Sequence, residues 1–242
     1  MINSCSIVEL RQYTLHPGQR DTLIELFDRE FIEPQELVDM TVIGQFRVLD
    51  DPDRFFWLRG FVGMQKRAPG LQAFYGGPVW KAHREAANGT MIDSDDVLLL
   101  RPARPASGFL PSSRRRPGLD SASHPARLYV ANIYYFREPE ENEFVSYFEE
   151  AIAPIVSGAG ASVCAYFVTE RSPNDYRALP VREDENVFVW FAVFPDTAAY
   201  DKYIGELSRS HRWNTVLDTL RGRLRAPIED RRLAPTSRSR LR

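Results

Sequence analysis

Tyr75-Gly-Gly77-Pro-Val-Trp80-Lys-Ala-His83-Arg84 returns 128 residues later as Tyr203-Ile-Gly205-Glu-Leu-Ser-Arg-Ser-His211-Arg212. Other pieces recur in the same order. Leu10-Arg-Gln-Tyr13-Thr-Leu15 matches Ala131-Asn-Ile-Tyr134-Tyr-Phe136, and at that same spacing of 121 Phe27 matches Phe148, Phe46 matches Phe167 and Pro52 matches Pro173. A loop insertion in the second copy then aligns Trp57 with Trp190, and a shorter helical connection returns the spacing to 128. Their common order implies a tandem duplication.

Each copy reads strand, helix, strand, strand, helix, strand. In the first, strands are predicted over Ile7–Leu15, Thr41–Leu49, Arg54–Phe61 and Asp96–Arg101. Asp21–Phe31 carries Leu23, Ile24, Leu26, Phe27 and Phe31 at helical spacing, and Asp50-Asp-Pro-Asp53 makes the hairpin turn. Pro69-Gly70 interrupts the helical region that follows, and Pro78 restarts it at a favoured first-turn position. The second copy gives strands at Leu128–Phe136, Ser162–Thr169, Asn186–Phe194 and Ala226–Leu233, with helical regions at Glu141–Val156 and Thr197–Arg223. The predicted class is α+β, with two tandem ferredoxin-like (βαββαβ) repeats. The domains are then 1–101 and 127–234, joined by a Pro/Arg/Ser-rich linker at 102–126 and followed by a basic tail at 235–242.

Composition supports a folded chain and excludes several classes. The 242 residues are 43% hydrophobic and 12% aromatic, enough to bury a sizeable core. The net charge of −2 hides a skew, because 28 of the 31 basic residues are Arg. Residues 101–127 carry a net +5 and 221–242 a net +6, leaving −13 for the rest. Basic charge confined to connectors argues against dedicated nucleic-acid binding; such runs are usually solvated, and here they can also lie against the acidic core. Ala151–Thr169 is uncharged, yet Pro154 and Gly158-Ala-Gly160 break it, so no membrane span is expected. Met1–Ser6 shows no secretory pattern. Cys5 and Cys164 form neither a disulfide framework nor a zinc site. A cytoplasmic protein is the simplest reading.

The first half resembles the NIPSNAP family in its bacterial form. The matching residues are Val8-Glu9-Leu10-Arg11-Gln12-Tyr13 with Pro17-Gly18, the Trp57 strand, Trp80-Lys-Ala-His83-Arg84 with Asn88 and Met91, and Ser94-Asp-Asp-Val97-Leu-Leu-Leu-Arg101-Pro102. The second half keeps His211-Arg212 but lacks Glu-x-Arg-x-Tyr on its first strand. The resemblance implies a dimeric α/β barrel, in which two ferredoxin-like sheets pack face to face with helices outside. Here one chain would supply both halves as a pseudo-dimer, and further homo-oligomerisation is open. The family has no single agreed chemistry. Superfamily relatives include cofactor-independent monooxygenases, isomerases and haem enzymes.

Strand alternation puts Glu9, Arg11 and Tyr13 on one face, Gln45 and Arg47 on another, and Trp57 and Arg59 on a third. Where these faces coincide, several Arg converge with a Tyr. Either carboxylates such as Glu9 or an anionic ligand must compensate them. The candidate catalytic residues are His83, Tyr13 and Arg47, with His83 as acid/base and Arg steadying an anionic intermediate. Arg11, Arg59, Trp80, Arg84, Phe46 and Trp57 are candidates for substrate binding. His211, Arg212, Tyr134 and Trp190 are their second-half counterparts, although the second half's aromatic load also reads as plain core.

Three functions stay open on this reading. One is a cofactor-independent oxygenase or isomerase acting on an aromatic or polyketide-like small molecule. The second is a non-catalytic binding protein whose Arg/Glu set is architecture. The third is a haem protein. No metal site and no bound cofactor are expected under the first. An open cleft reached by His83 and an Arg favours the first; a cleft filled by Trp80 and Phe56, with every Arg paired, favours the second.

Overall fold

Alternation along the first strand sorts its side chains between two cores. In β1 (Ile7–Leu15), Val8 and Leu10 enter one apolar cluster, and Ile7, Tyr13 and Leu15 enter another, as a period of two dictates. The computed structural model describes residues 5–110, 115–119, 127–139 and 141–242. Residues 111–114 and 120–126 of the expected linker, and 1–4 of the expected first domain, lie outside the described residues. After β1 come α1 (Arg20–Leu26), a π-helical turn (Phe27–Phe31), α2 (Ile32–Glu36), β2 (Thr41–Val48), β3 (Arg54–Phe61), α3 (Met64–Tyr75), α4 (Pro78–Asn88) and β4 (Met91–Pro102). The second half supplies β5 (Leu128–Tyr135), α5 (Glu141–Tyr147), a second π-helical turn (Phe148–Ile152), α6 (Ala153–Gly158), β6 (Ser162–Thr169), β7 (Val187–Phe194), α7 (Thr197–Ser208), α8 (His211–Arg223) and β8 (Glu229–Pro235).

These strands close a mixed α/β barrel in the order β1-β3-β2-β8-β5-β7-β6-β4, with every pairing antiparallel. The first half contributes β4-β1-β3-β2 and the second β8-β5-β7-β6. Two short seams join them. Phe46, Arg47 and Val48 pair with Pro235, Ala234 and Leu233, and Leu100, Arg101 and Pro102 pair with Thr169, Val168 and Phe167. Side chains from both halves fill the interior, among them Leu10, Phe46, Phe56, Leu58, Tyr129, Phe167 and Phe191. The opposite face of each half-sheet is covered by its own helices, giving two further cores. Irregularities recur with the strand order. The π-helical turns start at Phe27 and Phe148, and β-bulges fall at Val42/Gly44 and Val163/Ala165, each pair 121 residues apart.

The strand boundaries follow the sequence reading closely, with instructive exceptions. β4 begins at Met91 because Met91 and Asp93 continue to pair with Leu15 and Thr14, although the exposed Ile92, Asp93 and Asp95 between Met91 and Asp96 blur the apolar signal. Pro69 lies inside α3 without ending it. Gly70 there lets the helix rest on the 38–40 segment; a Cβ would stand 3.0 Å from Val38 O and from Met40 Cγ. The repeated Tyr-x-Gly-x5-His-Arg is not a structural equivalence. Tyr75 ends α3 whereas Tyr203 is midway along α7, and His83 is inside α4 whereas His211 opens α8. The helix starts instead align at 133, pairing Pro78 with His211 and Trp80 with Trp213, the same spacing that pairs Trp57 with Trp190. His83 therefore corresponds to buried Val216.

Arg116 of the linker and the basic tail are structural rather than solvated. Arg116 donates to Glu36 (2.6 Å), to Val42 O (2.7 Å) and to Gln45 Oε1 (3.3 Å). In the tail, Thr236 N–H donates to Gln45 O at 2.9 Å, Arg238 donates to Glu33 and Asp28 O, and Arg240 donates to Glu36. Asp28, beneath this tail, accepts from Gln45 Nε2 at 2.7 Å. Burial pushes its carboxyl up to about 6, against the pull of Arg238 and Arg116. Among the described residues no helix is long and apolar enough to cross a membrane.

Two outcomes follow. Deleting residues 236–242 should lower Tm on the order of 10 °C, since several charge-assisted hydrogen bonds go with it; an unchanged Tm in calorimetry would return the tail to solvent. Asp28 keeps its proton to about pH 6 when folded, against 3.8 ordinarily, so its contribution to stability is full below about pH 4 and is lost as pH rises through 6. Asp28→Asn should therefore raise Tm at pH 8 and leave it unchanged near pH 4, measured by thermal scans at both values.

Candidate functional site

The helix-facing sides of β1 and β3 coincide. Glu9 lies opposite Arg59, Arg11 opposite Trp57 and Tyr13 opposite Phe55. The three polar residues Glu9, Arg11 and Arg59 are all buried. The Glu9 carboxylate is shared by three guanidiniums. Arg59 Nη2 and Arg11 Nη1 reach Oε2 at 2.5 and 2.9 Å, and Arg67 Nε reaches Oε1 at 2.8 Å. Burial alone would raise the Glu9 pKa; Arg59, Arg11 and Arg67 together outweigh it and hold the carboxyl at about 2. Arg11 Nε also donates to the Tyr13 hydroxyl at 2.9 Å, and Arg59 Nη1 donates to Gln35 Oε1 at 3.1 Å and Tyr75 OH at 3.2 Å. Burial raises the Tyr13 pKa, so the phenol stays protonated and can donate in turn.

Trp57 forms the apolar side of this cluster. The Arg59 and Arg11 guanidiniums lie 5.1 and 5.6 Å from its ring centroid, within cation–π range. Beside it is a cavity of about 30 Å³ lined by Tyr13, Phe27, Phe31, Gln35, Trp57, Phe74, Tyr75 and Trp80, with Leu23, Ala87 and Met91. That volume admits water and nothing larger. The second half closes this end of the site. In the loop between β6 and β7, Asn174 Oδ1 accepts from Arg67 Nη1 at 2.9 Å, Asp175 pairs with the same nitrogen, and Tyr176 stacks on Tyr75.

The charges do not cancel. Among the described residues, the carboxylates in ion-pair contact with these three guanidiniums are Glu9 and Asp175. One positive charge is left over in a site from which water is largely excluded. Two buried donors, Trp57 Nε1 and Arg67 Nη2, have no hydrogen-bond partner.

Of the residues singled out from the sequence, Tyr13, Trp57 and Trp80 line the cavity, and Arg11 and Arg59 stand behind that lining, bonded to Tyr13 and Tyr75. The others are elsewhere. Phe46 points into the barrel, against Phe56 and Tyr129, on the opposite face of the sheet. Phe56 is there too, so it does not fill the cavity. Arg47 pairs with Asp21 at 2.8 Å beside α1. His83 stands outside Phe31, 3.4 Å from Glu30, with its side chain one-third exposed, and is not a lining residue. Arg84, His211 and Arg212 are exposed on α4 and α8. Tyr134 and Trp190 pack in the second half's helix-side core with Phe144, Phe148 and Phe188. There the register that sets Glu9 opposite Arg59 sets Val130 opposite Ala192, and Asn132 takes the place of Arg11.

Arg67, Gln35, Tyr75 and the 174–176 loop were missed. Arg67 carried a signal, since with Gly70, Leu71 and Phe74 it occupies the buried face of α3 at helical spacing. The loop carried none, because its partners lie more than 100 residues away.

Residues 8–106 match the NIPSNAP family model. The match covers less than half of the chain, and over that stretch the chain is similar to NIPSNAP proteins. Its strands β1 to β4, and with them Glu9, Arg11, Arg59 and Arg67, fall inside the match. No curated protein matches the sequence. Solved structures similar over the whole chain include a putative monooxygenase from Fusobacterium nucleatum (9% identity, 97% of this chain and 94% of that one, TM-score 0.58). A putative monooxygenase from Lactobacillus acidophilus has 11% identity, covering 95% and 93%, with a TM-score of 0.55. An anthrone oxidase-like protein has 12% identity, covering 95% and 91%, with a TM-score of 0.57. At such identities the likeness is one of fold, and it runs through both halves, beyond the stretch similar to NIPSNAP proteins.

Among the described residues no cluster of His, Cys, Asp and Glu suits a metal ion. A haem would need an axial ligand facing a large cavity. His16 and His211 are exposed and His83 is engaged with Glu30 outside the aromatic wall, so these residues do not fit that group. Glu9→Gln should cost about 3–5 kcal/mol in chemical denaturation, because it strands three buried guanidiniums. The sign of the pH effect is fixed as well. A carboxyl held at about 2 when folded, against 4.5 ordinarily, stabilises above 4.5 and loses that contribution as pH falls towards 2.

Proposed function

We propose that this protein binds a flat aromatic or polyketide-like small molecule carrying an acidic oxygen, in the cavity between sheet and helices of the first half. The observation that carries this reading is the uncancelled positive charge beneath an aromatic wall. A purely architectural network would be expected to balance its charges, whereas this one has a guanidinium in excess and two idle donors. An anion seated there supplies what is missing. The residues for the task are Tyr13 as hydrogen-bond donor, Arg11 and Arg59 as the positive charge behind Tyr13 and Tyr75, and Trp57, Trp80, Phe31 and Phe74 as the apolar walls.

Such a site also suits chemistry through an enolate or phenolate without a bound cofactor. The excess charge lowers the cost of forming the anion, and the Tyr13 hydroxyl donates to its oxygen. One fold neighbour, the anthrone oxidase-like protein, carries a compound of this class in its name. His83 has no part in this reading; the substrate's proton leaves to water admitted with the substrate. We read the chain as two copies of one βαββαβ unit, residues 1–101 and 127–234, folded as a pseudo-dimer. The repeated strand order, bulges and π-helical turns support that reading, with one copy holding the polar site and the other serving as scaffold.

Anthrone is the probe. Its binding should quench tryptophan fluorescence, since Trp57 and Trp80 line the cavity. In air it should give anthraquinone and water with uptake of one O2, at least tenfold more slowly in Tyr13→Phe. Quenching without turnover leaves a binding protein. Neither quenching nor turnover favours the structural network, for which the 30 Å³ cavity is the specific argument.

A further inference from the structure

The loop over Arg67 is anchored at both ends, and between them Tyr176, Leu179 and Val181 rest on the first half's helix-side core. Glu170 N–H donates to Leu99 O and Arg182 N–H to Val97 O, each at 2.9 Å, so β4 holds the two ends. Between them, the polar side-chain contacts of the tip to the first half converge on one guanidinium, through Asn174 and Asp175. Asp175 is otherwise solvent-facing, with its side chain 29% exposed, while Arg67 is wholly buried. A carboxylate borne on a surface loop thus enters a buried cationic site that belongs to the other half of the molecule. Arg67 is also close to the cavity by contact. It shares Glu9 with Arg59, Arg59 donates to Tyr75, and Tyr75 is a cavity wall on which Tyr176 of the same loop stacks.

We propose that Arg67 is the carboxylate seat of this site, and that Asp175 occupies it as an internal ligand which an aromatic carboxylate displaces. The proposal rests on the reading of the cavity as an aromatic site and adds a carboxylate, which replaces that of Asp175, to the acidic oxygen that meets the excess charge. Asp175 and Tyr176 do not line the cavity, but Tyr176 stacks on Tyr75, which does; their departure frees that wall to move and the 30 Å³ space to widen for a bicyclic acid. The geometry at Arg67 favours a carboxylate. Its Nη1 already holds one, its Nη2 is unpartnered, and a planar guanidinium engages a carboxylate through two nitrogens.

The test uses the full chain with 2-naphthoate and its neutral analogue 2-naphthalenemethanol, in wild type and Asp175→Asn. Asparagine keeps the size and the acceptor oxygen and removes the competing charge. Tryptophan fluorescence should show 2-naphthoate binding at least tenfold tighter to Asp175→Asn than to wild type, with the alcohol changed by less than twofold. Tryptic cleavage after Arg177, at the exposed tip, should accelerate in wild type when 2-naphthoate is added and in Asp175→Asn without it. Equal tightening for acid and alcohol overturns the carboxylate seat and leaves the aromatic site standing. Failure of both compounds to bind Asp175→Asn overturns the seat and the site together. Unchanged cleavage in Asp175→Asn overturns the internal ligand, whatever binds.

Discussion

One buried carboxylate holds the first half of this protein together. Glu9 binds Arg11 from its own strand, Arg59 from the neighbouring strand and Arg67 from the covering helix. It therefore ties strand to strand and sheet to helix from a position without access to water. Withdrawing a carboxylate from water is costly, and only the converging guanidiniums make its ionised form the stable one. The same arrangement leaves the cluster with one positive charge more than its carboxylates balance. Three cations organised by one anion are well placed mechanically and over-supplied electrically, and the loop from the other half adds a second carboxylate without completing the hydrogen bonding.

The two halves divide labour along these lines. Their strand order, bulges and π-helical turns are alike, yet at matching positions a glutamate and an arginine in one face a valine and an alanine in the other. The second half spends those positions on apolar packing around Tyr134, Phe144, Phe148, Phe188 and Trp190. What it gives the first half is the barrel's other wall, the tail that locks Asp28 and Glu33, and the loop that reaches Arg67. The stretch similar to NIPSNAP proteins is thus only part of the unit that makes the site.

Much of the barrel was legible in the sequence, because strand period and helical spacing are local signals. Ile7–Leu15, Arg54–Phe61 and Ser162–Thr169 are strands where alternation puts them. The convergence of Glu9, Arg11, Tyr13, Trp57 and Arg59 was legible for the same reason, since one register brings both strand faces together. Histidine was misleading. A recurring His-Arg at spacing 128 reads as a duplicated functional position, but the helices align at 133, and His83 is left beside Glu30 outside the cavity. Phe46 fell on the barrel side because it alternates with Gln45 and Arg47, so the period of two itself separates it from the helix-facing residues. The Arg-rich connectors looked solvated because their partners, Glu33 and Glu36, are far away in sequence, and composition does not encode a long-range ion pair.

The central claim is that Glu9 is ionised in the folded interior because three guanidiniums outnumber it. Side-chain carboxyl resonances followed by 13C NMR from pH 7 down to pH 4, with Glu9 assigned by its absence in Glu9→Gln, test this directly. The account predicts a Glu9 resonance that stays at its ionised shift across the whole range, while exposed glutamates begin to titrate. A Glu9 carboxyl that takes up its proton within that range would contradict it.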